Sequence, residues 1–168
     1  MAHYDSMHEL EPDLDGAELR IGIVISQCNS NVCENLLGAC IATLSKYGVK
    51  QENLTLATVP GALEIPLLLQ TLANTGRHDA LIALGAVVRE EKSYRFEVVC
   101  NECAAGITRV QLDSGIPIAN GLLMTETKRQ YGLTQYGEKA ATTAVIMANL
   151  MQSFNRFSGA MPASSVAA

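Results

Sequence analysis

The stretch that decides the fold is "ALIALGAVVREEKSYRFEVVC", residues 80–100. Ala80 to Val88 is an unbroken apolar run of strand length, the kind that parallel sheets bury on both faces. It stops at five charged residues within seven: Arg89, Glu90, Glu91, Lys92 and Arg95. Apolar residues then return at helical spacing. Phe96, Val99, Cys100, Cys103, Ile107 and Val110 share one face, and the pattern gives out at Ser114-Gly115. Strand, charged loop and amphipathic helix make one βα unit.

The same alternation runs outward in both directions. Upstream, "RIGIVIS" (20–26) is a strand, followed by the stripe Val32, Leu36, Leu37, Cys40, Ile41 and Leu44, which ends at Gly48. Asn31 and Glu34 are spaced as a capping box, with Asn31 as N-cap. "LTLATVP" (54–60) is a second strand, and "GALEIPLLLQTLANTG" (61–76) a helix whose Pro66 is tolerable near the first turn. Downstream, "IPIANGLLM" (116–124) is a fourth strand, and Ala140, Ala144, Met147, Met151 and Phe154 mark a long last helix. The class is α/β, with a four-stranded parallel sheet flanked by helices through right-handed crossovers. Residues 1–19 read as a polar N-terminal arm, 20–157 as a single domain, and 158–168 as a flexible tail.

Composition narrows the function classes. Of 168 residues, 48% are hydrophobic and 17% charged, which fits a folded domain with a proper core. A net charge of −5 without a basic run makes nucleic acid and anionic membranes poor partners. With no apolar signal region and no run of 18 apolar residues, the expected address is cytoplasmic. Five cysteines in such a chain argue against a disulfide framework. Cys100 and Cys103 form a lone CxxC without further ligands at zinc spacing, so no metal is expected.

Ligands of such sheets bind beyond the carboxyl ends of the strands, here "SQCNSN", "VPGALEIP", "VVREEKSY" and "LLMTET". Neither a dinucleotide fingerprint nor a P-loop occurs. In "VPGALEIP", Gly61 relaxes the backbone before a helix start whose amides can donate to a ligand, and Glu64 can accept from one. The alternative is a plain Pro-Gly turn with Glu64 complementing the helix dipole. Likewise Arg89, Lys92 and Arg95 can hold an anion such as phosphate, or form a solvated loop of self-paired charges.

These segments, with "RIGIV", "DALIALGAVVR", "FEVVCNECAAGITRV" and "IPIANGLLMTET", resemble the 6,7-dimethyl-8-ribityllumazine synthases of riboflavin biosynthesis, in order from Gly16 to Met151. The resemblance implies a flavodoxin-like three-layer sandwich, pentamer-based homo-oligomers with active sites between subunits, and riboflavin synthase as a partner. It also implies a cofactor-free condensation of 5-amino-6-(D-ribitylamino)uracil with 3,4-dihydroxy-2-butanone 4-phosphate, releasing water and phosphate. Carried over, Ala62, Leu63 and Glu64 hold the ribityl and pyrimidine side. Ala86, Val87 and Val88 supply main-chain contacts along the uracil, and Asn120 reaches a neighbour's site.

Four departures cluster on the chemistry. Cys28 stands where the family places a stacking aromatic. The loop Arg-Gly-Glu-Thr becomes Arg89-Glu90-Glu91-Lys92, one residue longer if Phe96 is the matching aromatic. Arg95 then occupies the position of the catalytic histidine. The phosphate-binding positions fall on Glu91, Lys92 and Lys139, the last in place of an Arg near the start of the final helix. The implied outcome is a lumazine synthase with impaired or altered catalysis. The alternatives are a non-catalytic assembly protein on the same scaffold, or a binder of flavin- or pterin-like ligands.

Overall fold

The computed structural model describes residues 7–89, 94–126 and 133–160. Its strands are β1 (Ile21–Ser26), β2 (Leu54–Val59), β3 (Ala80–Val88) and β4 (Ile118–Thr125). Its helices are α1 (Ser30–Lys46), α2 (Ile65–Asn74), α3 (Arg95–Ser114) and α4 (Thr134–Ala160). All strand pairs are parallel, in the order β2-β1-β3-β4.

Strand alternation splits the core into two layers. Ile21, Ile23 and Ile25 of β1 and Ile82, Leu84 and Ala86 of β3 face α1 and α4, packing with Leu36, Cys40, Ala144 and Val145. Val24, Leu81 and Ala83 face the other way, onto Ile65 and Leu69 of α2 and Cys103, Ile107 and Val110 of α3. The central strands β1 and β3 are thus buried on both sides, as their sequences predict. β2 is not. As an edge strand it leaves Thr55, Leu56 and Thr58 exposed.

Some local expectations change. The capping box is absent: Asn29, not Asn31, is the N-cap of α1, and it adopts a left-handed conformation with φ 57°. Asparagine tolerates that conformation better than other non-glycine residues, and its side chain reaches away to β3 rather than capping. At the far end Gly48, at φ +86°, closes the helix through bonds from Gly48 N–H to Ser45 O (2.9 Å) and from Val49 N–H to Leu44 O (3.0 Å). α4 runs on to Ala160, and its apolar stripe does not stay inside. Ala140, Ala141, Ala144, Val145 and Ala148 are buried, whereas Met151 and Phe154 are exposed. A helix of 27 residues spans about 40 Å, but an eight-residue strand only about 27 Å, so the end of α4 runs off the sheet.

The arm lies along α4 of its own chain. Asn149 Nδ2 donates to Asp13 O (3.0 Å) and Asp15 O (2.8 Å), and His8 stacks on Phe157 with ring centroids 4.7 Å apart. α1 and α4 pack closely against each other. A Cβ on Gly137 would stand 2.2 Å from Leu36 O.

Candidate active site

A cleft of about 210 Å³ opens beyond the carboxyl ends of β1, β2 and β3. Its wall comes from Cys28 and Asn29 after β1, Gly61 to Glu64 after β2, Ala86 to Val88 of β3, and Arg95, Phe96 and Val99 of α3. Two loops, a strand end and a helix start converge because parallel strands all point their ends the same way.

The backbone of this cleft is held from behind. Asn29 Nδ2 donates to Ala86 O (3.0 Å), tying the first loop to β3. Cys28 Sγ donates to Pro60 O (3.3 Å), joining the first loop to the second. Beneath the second loop, Cys103 Sγ donates to Ala62 O (3.0 Å). These thiols act as small hydrogen-bonding residues. Burial pushes Cys103 up to about 11 and Cys40 up to about 12, and it also raises Cys33, so these three stay protonated near neutrality.

The second loop is a short 3₁₀ turn, Ala62 to Glu64, leading into α2 with Pro66 in its first turn. The amides that open the turn precede any intrahelical acceptor. Glu64 folds back over Gly61: a Cβ there would lie 2.9 Å from Glu64 Oε2. Glycine therefore makes room for the carboxylate at the cleft rim.

Of the charged residues after β3, Arg89 and Arg95 are among the described ones. Arg89 Nη1 donates to Glu97 Oε1 in the first turn of α3. Arg89 Nε stands 3.5 Å from Glu126 Oε1 beyond β4, and the guanidinium lies 4.4 Å from the centroid of the Phe96 ring. Two carboxylates thus flank this one cation. The bond from Arg89 holds the Glu97 carboxyl below the usual range. Arg95 lines the cleft instead.

Cys28, Ala62, Leu63, Glu64, Ala86, Val87, Val88 and Arg95 are therefore together in one cleft. Asn120 and Lys139 are outside its wall and exposed; Asn120 Oδ1 accepts from Leu122 N–H at 3.0 Å. Glu91 and Lys92 lie outside the described residues. Sequence reasoning missed Asn29, Phe96 and Val99 as cleft residues, reading the last two as core because they begin the apolar stripe of α3.

The arrangement combines donor amides, one carboxylate, one guanidinium and the apolar side chains of Val87, Val88, Phe96 and Val99. It suits a flat, polar heterocycle. No imidazole lines the cleft among the described residues, and arginine cannot exchange protons near neutrality.

Sheet order and cleft define a flavodoxin-like α/β protein with a cleft of small-molecule size at its strand ends. Residues 18–152 match the profile of the 6,7-dimethyl-8-ribityllumazine synthase family, and the chain belongs to that family. A 6,7-dimethyl-8-ribityllumazine synthase from Azoarcus sp. is 55% identical over 154 residues, covering 90% of this chain and 98% of the relative. Proteins of the same name from Nitrosospira multiformis and Nitrosomonas europaea are 52% and 48% identical, covering 92% and 96% of this chain and 98% and 99% of theirs.

Proposed function

We propose that this chain condenses 5-amino-6-(D-ribitylamino)uracil with 3,4-dihydroxy-2-butanone 4-phosphate to 6,7-dimethyl-8-ribityllumazine, through positioning more than proton transfer. The observation that carries this reading is the cleft itself. Its wall is built from "VPGALEIP" and the end of "ALIALGAVV", segments on which the family resemblance rests.

In this reading the amides of Ala62 and Leu63 and the Glu64 carboxylate hold the pyrimidine and ribityl groups. The ends of Ala86 to Val88 run along the uracil. Arg95 faces the phosphate of the ketone, with Lys92 as a further cationic group. An amine meeting a ketone gains several kcal/mol from being held in register with it. A missing acid–base residue costs ~10²–10⁴-fold, so the expected enzyme is slow rather than inert. Family membership supports an oligomer; we infer pentamers, in which Asn120 reaches a neighbour's cleft, and a cytoplasmic location. Among the described residues no helix is long and apolar enough to cross a membrane.

Mixing the purified protein with both substrates and following lumazine absorbance tests the reading. A rate above that of the substrates alone is expected. A rate equal to theirs would overturn it.

A further inference from the structure

We propose that Phe96 is the aromatic surface on which the pyrimidine ring packs, and that Arg89 is the positioning residue that holds it there; this rests on the function proposed above. The first loop offers Cys28 and Asn29, and no aromatic ring, to the cleft. Phe96 is the single aromatic side chain in the cleft wall among the described residues. It sits at the start of α3, half-buried, with one part facing the cavity and the Arg89 guanidinium 4.4 Å from its centroid. Arg89 itself contributes nothing to the wall.

The arginine is tied to two other elements of the fold. Its N–H donates to Thr125 O (2.9 Å), which anchors its backbone to β4. Its guanidinium meets Glu97 from α3 and Glu126 from beyond β4. The planar fork spans two carboxylates from different elements while lying over the ring, a combination that lysine cannot reproduce. The ring is therefore oriented before any ligand arrives, which lowers the ordering cost of binding.

The carboxylates keep the cation in place without adding a net positive charge to the cleft mouth.

The test uses the full chain and 6,7-dimethyl-8-ribityllumazine as probe, reading both its dissociation constant and the loss of absorbance that stacking causes at saturation. Phe96→Leu should weaken binding about 2- to 12-fold and abolish the absorbance change. Phe96→Tyr, which keeps the ring, should restore both. Arg89→Met, removing a group outside the wall, should weaken binding and shrink the absorbance change at full occupancy; Arg89→Lys should restore only part of either. Should Phe96→Leu fail to fold, the Phe96→Tyr and Arg89→Met results still decide the matter.

Wild-type binding together with an unaltered Phe96→Leu variant would overturn this proposal and leave the function standing. An Arg89→Met protein with a wild-type absorbance change at saturation would reduce Arg89 to a structural residue and overturn its part. Absence of lumazine binding to the wild-type protein would remove the function and the proposal together.

Discussion

The two ends of the sheet carry similar charges and use them differently. At the amino end, Arg20 N–H donates to Asp79 Oδ2 at 2.8 Å, and the Arg20 side chain adds an ion pair at 3.5 Å. Gln152 of α4 reaches Asp79 Oδ1 at 3.4 Å, and His78 shares a hydrogen bond with Thr55 at 3.1 Å. Those bonds cross-link β1, β2, the start of β3 and α4, and they close that end. At the carboxyl end Arg89 also meets carboxylates, from Glu97 and Glu126, but beside it the loops stand apart around a cleft. The difference follows from chain direction. Strands leave the carboxyl end for helix starts, whose amides have no partner within the helix and remain available to a ligand. Charge at one end seals; charge at the other frames a site.

The largest expected effect is at the carboxyl end. Replacing residues 90–95 with the shorter Gly-Glu-Thr-x-His pattern, together with Cys28→Phe, should raise the condensation rate by ~10²–10⁴-fold, measured by lumazine absorbance. A histidine about 1 Å out of place would forfeit much of that gain, and for this reason the loop length is corrected with it. A change between the ends should harm both alike. Gly137→Ala drives a methyl group into Leu36 O and should cost ~1–3 kcal/mol or more in urea unfolding, because backbone rather than a pliable side chain is in the way.

At the amino end the effects should be smaller and confined to stability. Asp79→Asn weakens a network that is partly open to solvent, so a loss of ~1 kcal/mol is expected. The smallest effect concerns pH. Burial lowers the pKa of His78, with Arg20 and Arg77 adding to the shift and Asp79 opposing it. The folded state thus prefers the neutral ring. Its contribution is complete above the ordinary value of about 6.5 and is lost as pH falls below that through the lowered folded value. Urea midpoints for wild type should fall between about pH 7.5 and 5.0, and His78→Gln should flatten that slope.

How much of this was legible in the sequence differs by level. The strand runs and the face of α3 were readable because burial on both sides leaves no polar residue to break the pattern. The edge strand β2 was not distinguishable, since Leu54, Leu56 and Val59 look the same whether or not a helix covers them. Asn29 displaced the capping box because a left-handed residue ended the loop two residues early. Met151 and Phe154 keep the spacing of α4 after the sheet beneath it has ended. In the cleft, loop order alone pointed to Gly61, Glu64 and the end of β3. The fate of Arg89 was hidden, since Glu97 and Glu126 come to it only through the fold. Phe96 was hidden too, by belonging to a stripe whose later members are core.

The central claim is that chemistry belongs to the carboxyl end alone. Lumazine formation from both substrates by wild type, Glu64→Gln and Asp79→Asn, at a temperature where all three are folded, tests it most directly. Wild type should exceed the protein-free rate, and Asp79→Asn should match wild type in kcat/KM. Glu64→Gln, which removes a charged acceptor at the rim, should be slower by about 10- to 100-fold. A wild-type rate no higher than the protein-free control, or a Glu64→Gln variant as fast as wild type, would contradict it.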